Sequence, residues 1–389
     1  MSSQGMDQEV FDAFINQLER YVRERLVPAE DELIQLNRVP DEIFGEMKEM
    51  GLFGMTIPEE FGGAGMNISQ YMTTIKTLCW AHPAYRSIVS INTGMFATAL
   101  KNQGTAAQRT EWFPRLASGE VGAFALTEPD SGSDSAGLKT RAVKNGKGYL
   151  LNGTKRYITN APVADVVLVM ARTNTENLPR NAHISSFIVP VNTLGVTIGS
   201  ADKKMGQEGS LISDVILEDV QLPEEALLGC VEGQGFQAAM KSLNTGRLSV
   251  GMLSLGYAKR ILDCGVRYAL DRKAFGEPIA NFQLIQAMLA DSEMEIYAAE
   301  CMLDDACRRA DAGEDIIVKA AAAKMFASEM CCRVADRVVQ IHGGAGYLKE
   351  YQAERFFRDS RIFRIYEGTT QILQLVIAKR MLREYGANL

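Results

Sequence analysis

Val121-Gly-Ala-Phe-Ala-Leu-Thr-Glu-Pro-Asp-Ser-Gly-Ser133 is where the chain changes texture. From here to about residue 228 the apolar runs are short, rich in β-branched residues and separated by turn formers: 121–127, 138–144, 148–152, 155–159, 164–172, 185–191 and 213–220. Asn145-Gly146 and Asn152-Gly153 read as hairpin turns between such runs. Strands this closely spaced, with no helices between them, predict an antiparallel sheet or barrel rather than a βαβ fold.

On either side of this region the period is helical. Upstream, Val10, Phe14, Leu18, Tyr21, Val22 and Leu26 recur at three- and four-residue steps and predict one amphipathic face. A short helix from Asp41 to Met50 stops at Gly51, and further helices are expected over about 68–81, 84–102 and 105–117. Downstream, long helical spans are expected at 234–271, 281–311, 314–342, 351–359 and 369–385, broken by Gly276-Glu277-Pro278 and Gly313. Long helices on short connections pack antiparallel, as in a four-helix bundle. The expected fold is α+β, mostly α: an N-terminal helical domain (1–120), a middle antiparallel β-barrel (121–230) and a C-terminal four-helix bundle (231–389).

The 389 residues suit two to three domains, at roughly 150 residues each. A net charge of −7 and the lack of any basic tract argue against nucleic acid. No apolar run is long enough to span a membrane, and the start of the chain shows neither secretory nor transit features. Seven cysteines without CxxC spacing and three scattered histidines (82, 183, 342) make a metal site unexpected and a reduced, cytoplasmic protein the expectation. There is no GxGxxG, GxxxxGK[ST], HExxH or GxSxG; Gly251-Met-Leu-Ser-Leu-Gly256 has the wrong spacing for a nucleophile elbow.

Five segments remain: Phe124 to Ser133, Lys155-Arg-Tyr-Ile-Thr-Asn160, Arg272-Lys-Ala-Phe-Gly276, Gln340-Ile-His-Gly-Gly-Ala-Gly-Tyr347 and Ile365-Tyr-Glu-Gly-Thr-Thr-Gln371. Each has an ordinary reading. The first is a turn of Pro, Asp, Ser and Gly; the second places Tyr157 and Thr159 on one strand face; Arg272 answers a helix dipole; the glycines after Gln340 cap a helix; Glu367 sits ahead of a helix N-terminus. In this order, over essentially the whole chain, they resemble the acyl-CoA dehydrogenase family.

That resemblance implies FAD, an acyl-CoA substrate, electron-transferring flavoprotein as electron acceptor, and a homotetramer. By position it places Phe124, Leu126, Thr127, Ser133, Tyr157, Ile158, Thr159, Thr369 and Gln371 at the flavin, with Tyr157 where family members commonly have Trp. Arg272, Phe275, Gln283, Gln340, Gly343 and Gly344 would reach the FAD of a neighbouring subunit. Ser133, Asn244, Arg247, Tyr366 and Gly368 would contact substrate, and Glu367 would take its α proton. One subgroup carries its glutamate just before the arginine of Leu243-Asn-Thr-Gly-Arg247, where this chain has Gly246, which leaves Glu367 for the role. The β hydrogen would leave as hydride to the flavin, giving a trans-2-enoyl-CoA.

Ala84-Tyr-Arg86-Ser87 also resembles the stretch with which glutaryl-CoA dehydrogenases hold a terminal carboxylate, although the Glu that subgroup has seven positions earlier is Cys79 here. A scaffold protein that keeps the fold and has lost turnover would be expected to lack the base or the flavin contacts. None is missing from the sequence.

Overall fold

The computed structural model describes residues 5–174 and 180–387. The first third is helical: α1 (Gln8–Tyr21), α2 (Glu30–Leu36), α3 (Asp41–Glu49), α4 (Ile68–Leu78), α5 (Pro83–Ser90), α6 (Ala97–Gln103) and α7 (Ala106–Ala117). Asp7 caps α1 by accepting from the Glu9 and Val10 amides. The predicted stripe is seated one residue late at its start: Phe11 is buried and Val10 is 54% exposed. At about 100° per residue Phe11 lies within about 20° of Leu18, whereas Val10 is about 80° away. A π turn at Ile91–Phe96 joins α5 to α6, so the expected helix 84–102 forms with a local widening, a feature frequent at functional sites.

The middle of the chain forms a curled seven-stranded sheet: β1 (Gly122–Ala125), β2 (Arg141–Asn145), β3 (Gly148–Thr159), β4 (Val166–Arg172), β5 (Ile184–Pro190), β6 (Val196–Ile198) and β7 (Ile212–Leu222). It is mixed rather than wholly antiparallel. β3–β7, β2–β3, β4–β5 and β6–β7 are antiparallel, but β1 and β2 run parallel to β4. The chain crosses over through the β2–β3 hairpin, which substitutes for the helix a parallel pair usually needs. Asn145-Gly146 makes the expected hairpin, with Asn145 accepting from the Lys147 amide. Asn152-Gly153 does not. It is a bulge inside one continuous β3, where the Asn152 side chain bonds both the amide and the carboxylate of Asp219. The strands β4 and β5 are buried along both faces, between one apolar cluster shared with α6 and α7 and a second on the far side, hence their unbroken apolar runs.

The last third contains α8 (Gly235–Asp271), a tight hairpin of β8 (Lys273–Ala274) and β9 (Glu277–Pro278), α9 (Gln283–Asp311), α10 (Ile317–His342), α11 (Gln352–Ser360) and α12 (Thr370–Glu384). The helices α8, α9 and α10 pack on one another, α12 lies along α10, and α4 packs against α8 and α9. Gly251 and Gly256 serve these crossings: a Cβ at 251 would stand 2.4 Å from Leu303 of α9, and one at 256 would stand 2.3 Å from the Lys76 carbonyl of α4.

Two buried charge networks bind the thirds together. Glu30 of α2 receives Arg260 of α8 and, at 2.8 Å, Arg355 of α11. Asp359, fully buried in α11, accepts from Tyr257 Oη (2.8 Å) and the Gln207 amide and lies 3.3 Å from His82 Nε2. The His82 Nδ1 accepts from the Ala84 amide, so in the neutral ring Nε2 carries the proton toward Asp359 and has no lone pair for a metal. His82, Asp359 and Glu208 do lie close together, and this tautomer makes them a structural cluster.

Candidate active site

Glu367 and Gly368 are consecutive left-handed residues, with φ of 54° and 96°, in the turn before α12. For a glutamate this conformation costs on the order of 1–3 kcal/mol and persists only where neighbours over-determine it. They do so here. Thr369 caps α12 by accepting from the Ile372 amide. Lys324 Nζ of α10 donates to the Gly368 carbonyl at 2.9 Å, and one helical turn on, Glu329 Oε1 accepts from Thr370 Oγ1 at 2.7 Å and pairs with Arg364 at 2.8 Å.

The Glu367 side chain turns against α8 at Gly246, a residue without a side chain. A Cβ at Gly246 would lie 2.6 Å from Glu367 Oε2. That oxygen is shielded from solvent and has no hydrogen-bond partner among the described residues, and the same holds for Tyr366 Oη and Arg247 Nε. Buried polar atoms are nearly always paired, so three orphans on adjoining residues mark a place shaped for a polar ligand. The Glu367 amide also donates to no acceptor among the described residues. Burial pushes the Glu367 carboxyl above the usual glutamate value, against the pull of Arg86, Arg247 and Lys324. Arg247 reaches Asn244 Oδ1 at 2.9 Å, while Arg86 of α5 spends Nε and Nη2 on the Ser249 hydroxyl.

The sheet brings two of the sequence segments together. The Arg156 amide donates to the Thr127 carbonyl at 2.9 Å, setting the end of β1 beside the second half of β3. A bulge follows Lys155, and Tyr157, at φ 58°, stands 61% exposed. Thr159 and Leu126 are half-buried and Ser133 is exposed. Phe124 and Ile158 point their side chains into the apolar clusters, which leaves only their backbones for any ligand.

The remaining residues gather elsewhere. Arg272, Phe275 (97% exposed), Gln283, Gln340, Gly343 and Gly344 are all exposed at the end of the bundle where α8 finishes, α9 starts and α10 finishes. At 1.5 Å per residue, Arg272 lies roughly 37 Å along α8 from Arg247. Gln371, in the first turn of α12, is exposed on the Glu367 side. A groove of about 370 Å³ lined by Trp80, Lys259, Tyr297 and Glu300 shares no residue with either group.

Three family descriptions cover nearly all of the chain: acyl-CoA dehydrogenase N-terminal domain over residues 8–120, middle domain over 123–220 and C-terminal domain over 233–382. A Bacillus subtilis protein named "Probable acyl-CoA dehydrogenase" is 40% identical over 364 residues, 93% of this chain and 95% of that one. The chain belongs to the acyl-CoA dehydrogenase family. The CarC subunit of a caffeyl-CoA reductase-Etf complex from Acetobacterium woodii is 39% identical over 355 residues, 91% and 93% of the two chains. A glutaryl-CoA dehydrogenase from Mycobacterium smegmatis in complex with FADH2 superposes with a TM-score of 0.89 at 30% identity, covering 97% of this chain and 95% of that one.

As an acyl-CoA dehydrogenase the protein is an FAD-dependent oxidoreductase. Its surface fits such a cofactor. Arg272 makes no ion pair among the described residues, Gly343 and Gly344 have open space where a Cβ would be, and Tyr157 offers a largely exposed ring with the Arg156 guanidinium 5.5 Å from its centroid. Among the described residues no helix is long and apolar enough to cross a membrane.

Reading the sequence missed Lys324 and Glu329. Lys324 had left a signal: it is the one charged residue on the stripe Ala320, Ala323, Ala327, Cys331, all buried.

Proposed function

We propose that this acyl-CoA dehydrogenase removes the α and β hydrogens of an acyl-CoA thioester to leave a trans-2-enoyl-CoA, and that electron-transferring flavoprotein takes the electrons. The observation that carries the reading is the Glu367 carboxyl, raised by burial and facing Arg86, Arg247 and Lys324, whose shielded Oε2 has no hydrogen-bond partner among the described residues. A carboxylate in that state is a stronger base than in water. Glu367 takes the α proton, and its free amide donates to the thioester carbonyl as negative charge gathers there. Arg247 and Asn244 hold the CoA portion, while Tyr366 closes the site against water. Bound FAD supplies the acceptor for the β hydrogen, which leaves with its electron pair. The Etf named with the Acetobacterium relative supports the choice of electron acceptor.

The test is an anaerobic panel of straight-chain, branched, aromatic and dicarboxylic acyl-CoAs mixed with the yellow protein. At least one should bleach the flavin and yield a 2-enoyl-CoA, and electron-transferring flavoprotein should restore the colour faster than oxygen does. A flavin that no acyl-CoA bleaches refutes the reading.

One observation favours a dicarboxylic substrate as a second reading. The buried guanidinium of Arg86 hydrogen-bonds only the Ser249 hydroxyl among the described residues. The residue that could have answered it, Cys79, is held as a neutral thiol, pushed up to about 12 by burial. Arg86 feels the Glu367 carboxylate but makes no hydrogen bond to it among the described residues, and a terminal carboxylate on the substrate would supply that direct partner. Release of carbon dioxide from glutaryl-CoA decides for this reading, and bleaching by monocarboxylic thioesters alone decides against it.

A further inference from the structure

We propose that Lys324 is a positioning residue of the active site, whose ammonium holds the Gly368 carbonyl and through it the carboxylate of Glu367; this rests on the reading of Glu367 as the base. Lys324 is fully buried in the N-terminal third of α10. An ammonium taken out of water is costly unless paired, and the chain's other fully buried lysine shows the ordinary solution: Lys155 lies 2.8 Å from the Glu128 carboxylate. Lys324 has no such partner among the described residues. Its hydrogen bond goes to a peptide carbonyl one residue from Glu367, at the point where two left-handed residues have to be held.

The charge acts as well as the bond. Glu367 is the foremost anion felt by Lys324, ahead of Glu329, and Lys324 is one of three cations that pull the Glu367 carboxyl down. Arg86 from α5 and Arg247 from α8 are the other two; Tyr366 adjoins Glu367, and Cys332 flanks Lys324 on α10. Burial and Arg247 draw Lys324 itself down to about 8. Nearby positive charge favours the ionised form of a carboxyl that burial pushes up. A merely structural lysine would supply a hydrogen bond and nothing more, and the two roles separate by experiment.

Lys324→Met removes both bond and charge; Lys324→Gln keeps a donor for the Gly368 carbonyl without the charge. Two quantities are followed against pH: the anaerobic bleaching rate with the panel member that bleaches the wild type fastest, and the infrared band of the protonated Glu367 carboxyl, assigned by its loss in Glu367→Gln. The Met variant should bleach about 10- to 100-fold more slowly at neutral pH, with both inflections moved to higher pH. The Gln variant should regain most of the rate at high pH while its inflections stay displaced. Wild-type rates and inflections in the Met variant overturn the proposal, as does a Gln variant with unshifted inflections. If Met loses FAD or fails to fold, the Gln inflections decide alone. Failure of Glu367 as the base shows separately, as bleaching of Glu367→Gln at the wild-type rate.

Discussion

The Glu367 carboxylate fills the space in front of Gly246: a Cβ on residue 246 would approach Oε2 to 2.6 Å and Cδ to 2.9 Å. Two residues 121 apart in sequence thus share one small volume, and only one of them can have a side chain there.

Gly246→Ala is expected to displace Glu367 without altering its chemistry. The fold should survive, at a cost of about 1–3 kcal/mol for overpacking, and FAD should be retained. If Glu367 is the base as proposed, the bleaching rate should fall about 100-fold from its misplacement. Thermal melting, the flavin spectrum and stopped-flow bleaching check this; an unchanged rate would show that the carboxylate tolerates movement.

Glu367→Gln removes the proposed proton acceptor and leaves the packing nearly unchanged. Bleaching should drop at least about 10²–10⁴-fold, with FAD content and acyl-CoA binding preserved. In the wild type the proposed base would act when deprotonated, and its carboxyl is raised. The rate should therefore rise with pH through an inflection above the usual glutamate value. An inflection at or below that value counts against the buried environment described here.

Asp359→Ala should be a stability mutation. Burial pushes the Asp359 carboxyl up, but His82, the Gln207 amide and Tyr257 more than offset this and hold it below the usual aspartate value. Removing it strands three buried donors on three parts of the chain, and each buried polar group left unsatisfied costs about 1–3 kcal/mol. Denaturant midpoints measure the loss; a cost under about 1 kcal/mol would mean that the network relaxes freely.

Arg272→Ala should loosen FAD and the oligomer together while leaving the surroundings of Glu367 intact. Bound FAD per chain and sedimentation mass are the measurements. A variant that loses FAD but stays fully assembled would separate the arginine from any subunit contact.

Much of the architecture was legible because helical and strand periods differ so sharply at Val121 and again near Gly233. What escaped was set by long-range pairing. Asn152-Gly153 carries a local turn signal that the partner strand β7 overrides, and no local pattern states that β1 lies parallel to β4. In the candidate active site, Glu367 stood out through Tyr366 and the Thr369–Gln371 motif. Its contact with Gly246 and its support from Lys324 depend on how α8, α10 and the turn before α12 meet in space. A lysine in an alanine-rich run declares that it is buried but not what it serves.

The distance of roughly 37 Å between Arg247 and Arg272 along α8 has a genetic consequence. A chain without Glu367 still carries its distal arginine, and a chain without Arg272 still carries its glutamate. Where each end serves a different subunit, co-assembly of the two defective chains rebuilds one intact site and leaves another doubly damaged. Two alleles that are each inert alone would then complement each other, and a cell holding both would regain part of the activity that neither parent possesses.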